Sequence, residues 1–314
     1  MLFLYRGPEL AAYGFGQDHP FGPDRHDAFM EEFERQGLHV STGLELRDPH
    51  SCSIETLCHF HTDVYVEKVR SLSKFGLGFL DQGDTPAVQG IFESASFVVG
   101  SVVNAVDSIM RDECTQAFLP IGGLHHARRD SAAGFCVFND IGVAIERLYH
   151  KYHLQRIAYV DIDAHHGDGV YYAYESDARL CFVDFHQDGR TLYPGTGSVE
   201  ETGKGAARGC KLNVPLPPEA TDQTLDKFWS TAEGFIDKFE PELIIFQCGA
   251  DSLAGDPITQ LRLSATSHAM VANRLKTLAN KHCQGRLLAL GGGGYNRSNL
   301  GLAWCAVVTE LLRD

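Results

Sequence analysis

The sequence predicts an α/β protein built in three layers, with helices on both faces of a mostly parallel sheet. Short apolar runs ending in Gly, Asp or His alternate with longer amphipathic stretches, the pattern of strand-helix-strand units. Polar, glycine-bearing segments follow directly on those runs, and in open parallel sheets ligands bind at the carboxyl ends of the strands. The 314 residues are 44% apolar, enough for one large core, and no repeat, linker or composition break divides them. Residues 1–314 therefore read as one domain.

Residues 2–5 form a short apolar run that suits a strand and is too brief for a secretory leader. Amphipathic periodicity then marks helices at 24–35, 54–73 and 89–110, ahead of an apolar strand at 117–121. A helix at 139–152 leads into strands at 156–161 and 180–185, while the Gly- and Pro-rich stretch 187–218 reads as long loops. The remaining chain alternates regularly: helix 222–239, strand 243–248, helix 264–281, strand 287–290 and helix 298–312. GGLHH, DIDAHHGDG, FHQDGRTLYPGTG, GADSLAGDP and GGGGY each follow one of these strands, so five polar loops converge on one rim.

A net charge of −14 argues against a nucleic-acid partner, whose phosphates need a basic footprint, and makes cationic partners electrostatically easier. Nine cysteines without CxxC spacing, several in apolar runs such as Cys181 and Cys248, read as reduced buried thiols. No apolar segment is long enough to span a membrane, so a cytoplasmic protein is expected. Oligomeric state leaves no mark in the sequence.

The segment from Asp161 to Asp168 packs three carboxylates and two imidazoles behind an apolar strand. Single Asp and His residues often only cap helices, but a cluster this dense is costly to bury unless a cation neutralises it. Asp163 and His165, two apart, project to the same side of an extended chain, and Asp251 after another strand can complete a three-donor set. Three protein donors with one open position is the arrangement of a catalytic zinc, although an oxygen-rich set also accepts ferrous iron. His125 and His126 suit proton transfer if carboxylates orient them, and Asp161 and Asp168 are left over for that purpose. Tyr295 follows the glycines 291–294, whose flexibility would let its hydroxyl reach a developing oxyanion; no P-loop lysine follows them.

With GGLHHARRDSAAGFCVFND, YVDIDAHHGDGV, YPGTG, CGADSLAGDP and LGGGGYN in place, nearly the whole chain resembles the histone deacetylase family. Its compact layout resembles that of the bacterial class I, AcuC-like members. The resemblance implies the arginase-deacetylase fold with about eight strands, a single deacetylase catalytic domain, and zinc-dependent release of acetate from Nε-acetyl-lysine in proteins or peptides. It assigns zinc to Asp163, His165 and Asp251. It also makes His126, paired with Asp168, the general base and then acid, gives His125 with Asp161 an electrostatic role, and sets Tyr295 to polarise the scissile carbonyl.

The same resemblance places Gly134, Phe135 and Tyr193 on the walls of a narrow substrate tunnel, with Asp84 and Ile258 at its rim and Arg25 near an acetate exit. It further implies K+ or Na+ at Asp161, Asp163, His165, Asp184 and Phe185. Asp184 departs from the serine of many relatives and adds a negative charge there. Apolar Ile258, where polyamine deacetylases hold an acidic gatekeeper, favours acyl-lysine over acetylpolyamines or other small acylated amines. A two-manganese ureohydrolase of the shared fold would need further aspartates, and a catalytically silent acyl-lysine reader would not need every chemical position kept.

Overall fold

Strands whose successive side chains are all apolar must be covered on both faces, and the chain folds accordingly in the computed structural model, which describes residues 1–16 and 18–313. In chain order the elements are β1 (Leu2–Tyr5), α1 (Pro8–Ala11), α2 (Asp24–Arg35), β2 (Leu44–Arg47), α3 (Ile54–Leu57), α4 (Asp63–Phe75), α5 (Ile91–Met110), β3 (Gln116–Leu119), α6 (Asp140–Tyr152), β4 (Ile157–Asp161), α7 (Asp168–Tyr174), β5 (Leu180–Gln187), β6 (Lys211–Leu216), α8 (Asp222–Phe239), β7 (Leu243–Gln247), α9 (Ala265–His282), β8 (Leu287–Leu290) and α10 (Arg297–Leu312). The strands make one 8-stranded sheet in the order β2, β1, β3, β8, β7, β4, β5, β6. Every neighbouring pair is parallel.

Period-2 alternation sorts the strand side chains into two cores. Ile157 and Tyr159 of β4 join the layer under α5 and α6, while Ala158 and Val160 face the layer that holds Trp229 of α8, Leu275 of α9 and Trp304 of α10. The four central strands β3, β8, β7 and β4 thus end side by side, and their following loops share one rim. No helix among the described residues is long and apolar enough to cross a membrane.

Two expectations need correction. The stretch 187–218 contains β6, and β2 was not anticipated; they are the two edge strands, partly exposed, so neither carries a continuous apolar run, and β6 includes Pro215, which an edge tolerates. The helix expected over 54–73 is broken into α3 and α4, because Thr62 caps a new start by accepting the Tyr65 N–H while its own N–H bonds Arg129 O. The expected mostly parallel sheet of about eight strands is present, with every pair parallel. The short helix α7, hidden behind the His-rich loop, also escaped the periodicity reading.

Tight packing across the first layer yields a test. A Cβ at Gly100 on α5 would lie 2.2 Å from His50 O and 2.6 Å from Cys52 N, where the backbone crosses the helix. Replacing this glycine by alanine gains about 1 kcal/mol of helix propensity. The overpacking against rigid backbone exceeds it, so Gly100→Ala is expected to lower stability by about 1–3 kcal/mol net in denaturant unfolding.

Candidate active site

Parallel strands deliver their loops to one end, and here the loops after β3, β4, β7 and β8 bring the chemistry together. Asp163 and His165 follow β4, and Asp251 lies in a helical turn after β7. One ligand atom from each can be chosen so that all lie within 4.8 Å of one another, and all three residues are buried. His165 Nδ1 is 3.1 Å from Asp163 Oδ1 and 3.1 Å from Asp251 Oδ2. No Lys or Arg pairs with Asp163 or Asp251 among the described residues. Buried carboxylates with an imidazole between them and no Lys or Arg to neutralise them are the donor chemistry of a metal site, so these residues fit a divalent ion.

The histidine pair sits beside this triad. His125 Nδ1 is 2.7 Å from Asp161 Oδ2, and His126 Nδ1 is 2.7 Å from Asp168 Oδ1. With both Nδ1 atoms engaged, the Nε2 atoms approach each other at 3.1 Å, and two N–H groups cannot face at that distance. Burial, and secondarily His125, push the His126 imidazole down to about 4, so it is neutral and is the ring free to accept a proton. Tyr295 lines the same small cavity as His125, His126, Asp163 and His165. Burial and the nearby Asp251 and Asp163 carboxylates raise its hydroxyl well above the ordinary range, so it stays a phenol and a donor.

The glycines before Tyr295 supply room rather than mobility. A Cβ at Gly293 would fall 2.2 Å from Asp251 Oδ2, and one at Gly249 2.2 Å from Asp163 Oδ2. Gly134 and Phe135 both have positive φ, 53° and 66°, and a Cβ at Gly134 would lie 2.4 Å from the His126 ring. Phe135 is held in that unfavourable region by Thr85 Oγ1 on its N–H at 3.1 Å and by the Tyr13 hydroxyl on its carbonyl at 2.7 Å. Tyr193, 45% exposed, stands 5.2 Å from the His126 ring and with exposed Asp84 lines a groove that also contains Asp81 and Arg128.

Other expected residues lie around this centre. Arg25 is fully buried, donates to Gly294 O at 2.9 Å and Gly292 O at 2.6 Å, and covers the Phe21 ring at 3.8 Å. Ile258 is half-buried, its N–H on Asp256 Oδ1 at 3.1 Å, and is not among the residues lining the cavity around Tyr295. Phe185 turns its ring to the opposite core, stacked on Trp229 at 5.7 Å. Asp184 gives one oxygen to His186 Nδ1 at 2.7 Å and the other to the Gly167 N–H at 2.9 Å. His186 Nε2 faces Gly197 O at 2.8 Å, so that nitrogen carries a proton and another lies between ring and carboxylate. The pair is neutral as a unit, which cancels the charge that Asp184 adds.

Several contributors were not singled out from sequence. Asp140 binds the Gly123 and Leu124 N–H groups, each at 2.7 Å, and the Asn139 amide holds Ala127 O at 2.8 Å, so the start of α6 clamps the histidine loop from both ends. Arg128 reaches Asp168 Oδ2 at 3.3 Å from the groove. The Asn-Asp pair in GFCVFND, directly before a helix, was the available signal.

Residues 19–311 match the histone deacetylase domain. The chain belongs to the histone deacetylase family. It is 35% identical over 306 residues to the acetoin utilization protein AcuC of Bacillus subtilis, covering 94% of this chain and 77% of that protein. Over 285 residues it is 36% identical to a probable deacetylase of Archaeoglobus fulgidus, covering 88% and 77% respectively. The crystal structure of the HDA15 HD domain superposes with a TM-score of 0.90 at 23% identity, covering 99% of this chain and 89% of that one, and shares the fold. Histone deacetylase membership makes the protein a hydrolase of amide bonds in a generally metal-dependent family.

The donor triad makes metal binding compete with protons. Burial alone would lower the His165 imidazole, but the Asp163 and Asp251 carboxylates outweigh it and carry it up to about 10 without a metal. A metal held by His165 and Asp251 must displace that proton and, below about pH 7, the one on Asp251, so affinity is expected to weaken at least tenfold for each unit of acidification between pH 8 and 6. Chelator competition across this range checks it, and a flat profile would remove His165 from the donor set.

Proposed function

We propose that this protein hydrolyses the amide of Nε-acetyl-lysine in proteins or peptides, using zinc held by Asp163, His165 and Asp251. The observation that carries this reading is the pair of Asp-His contacts at 2.7 Å beside the donor triad, with Tyr295 lining the same cavity. When bound, zinc supplies Lewis-acid polarisation of the carbonyl and of the attacking water. Ferrous iron suits the same oxygen-rich donors. His126, neutral and fixed through Nδ1 by Asp168, accepts the proton of the water at Nε2 and returns it to the leaving amine. His125, anchored by Asp161, contributes chiefly electrostatics, and the Tyr295 hydroxyl donates to the developing oxyanion.

Gly134, Phe135 and Tyr193 wall the alkyl stem, Asp84 receives substrate backbone N–H groups at the rim, to which this reading also assigns Ile258, and buried Arg25 offers an unpartnered Nη1 to the departing acetate. K+ or Na+ near Asp161, Asp163, His165, Asp184 and Phe185 belongs to this reading through main-chain oxygens, because both Asp184 carboxylate oxygens are engaged. A cytoplasmic setting and a bacterial, AcuC-like role are part of the same proposal. A second reading, a small acylated amine such as an acetylpolyamine, draws support from Asp81 and Asp84, whose carboxylates line the groove beside Tyr193 and suit a distal ammonium.

One measurement separates these readings and a second tests the chemistry they share. Zinc-loaded protein is expected to turn over an acetyl-lysine peptide faster than N-acetylputrescine or N-acetylspermidine; the reverse order would select the acidic groove as the specificity element. Tyr295→Phe is expected to keep its zinc and lose about 100-fold in kcat, and undiminished turnover would sink the oxyanion role.

A further inference from the structure

The last residue of β7, Gln247, is completely buried, yet it carries an amide with two donors and one acceptor into the centre of the site. Its Nε2 donates to Asp163 Oδ2 at 2.8 Å and to Gly123 O at 3.2 Å, and its Oε1 accepts the Gly249 N–H at 2.7 Å. The His125 Nδ1 atom lies 3.4 Å away but already donates to Asp161, so it takes no part. The loop after β8 closes over the amide: a Cβ at Gly292 would sit 2.2 Å from Nε2. One side chain therefore touches the loops after β3, β4, β7 and β8.

The contact with Asp163 is the informative one. Asp163 Oδ2 also accepts the Gly293 N–H at 2.8 Å, so both lone pairs of that oxygen are occupied. Oδ1 accepts the His165 N–H at 3.0 Å and keeps its second lone pair on the side of His165 Nδ1, 3.1 Å away. From this geometry we infer that Gln247 is a positioning residue for the metal: it ties up Asp163 Oδ2, leaves Oδ1 as the single oxygen that the carboxylate presents to the ion, and fixes the carboxylate plane. A leucine or methionine would fill the same volume without doing so, which makes packing an insufficient account of an amide whose every polar atom is used. The inference rests on the metal-dependent reading above and concerns the donor set, not the substrate.

The test uses the full-length protein and two near-isosteric variants. Gln247→Met removes both donors and the acceptor, and is expected to weaken zinc about 10- to 100-fold in chelator competition, with kcat reduced and KM nearly unchanged. Gln247→Glu keeps the acceptor for Gly249 but faces Asp163 with a carboxylate. In cobalt-substituted protein it is expected to change the visible absorption bands, which report ligand geometry. Zinc affinity of Gln247→Met within twofold of the parent, together with unchanged cobalt spectra in both variants, would overturn the inference. Should Gln247→Met not fold, the cobalt spectrum of Gln247→Glu decides alone. Parent protein that is inert toward acetyl-lysine, while Gln247→Met loses zinc, would reject the deacetylase reading and keep this one.

Discussion

Burying negative charge is the constraint on which the rest of the site depends. Asp161, Asp163, Asp168 and Asp251 lie at the ends of β4 and β7 or just beyond, and Asp184 lies within β5, all essentially removed from water. An isolated buried carboxylate costs many kcal/mol, so each must find a proton, a donor or a cation. Asp161 and Asp168 take imidazoles, Asp184 takes His186, and Arg128 adds the single guanidinium contact to Asp168. Asp163 and Asp251 share only His165 and N–H groups, and burial with the repulsion of Asp163 lifts Asp251 to about 7. That deficit, rather than any one distance, is the physical argument for a divalent ion.

The glycines are shaped by the same requirement. At Gly249, Gly292 and Gly293 a β-carbon would occupy space now held by a carboxylate or by the Gln247 amide. Sequence reasoning took the run 291–294 as flexible, whereas it is the most closely approached backbone of the site. Fully paired polar groups in a low-dielectric interior make such a network rigid.

How much of this was legible follows from where information sits along the chain. Buried strands such as β1 and β8 announce themselves as uninterrupted apolar runs, and the carboxylate-imidazole cluster after β4 is dense enough to betray a site without any structure. The edge strands β2 and β6 lack that pattern because one side of each is solvent. Gln247 was invisible for another reason. Its partners lie up to 124 residues away, and nothing in a local pattern distinguishes a glutamine that closes a strand from one that stitches loops together.

The left-handed backbone at Gly134 and Phe135 bears on how the protein can diversify. On that side the bore of the cavity is set by main chain pressed against the His126 ring, and a larger residue at 134 has no conformation to retreat into. Heritable change in the size of group that fits must therefore be written on the other walls, where Phe21 and Cys136 face the cavity with side chains that can shrink or grow. Two neighbouring φ angles thus divide the pocket into a portion closed to variation and a portion open to it.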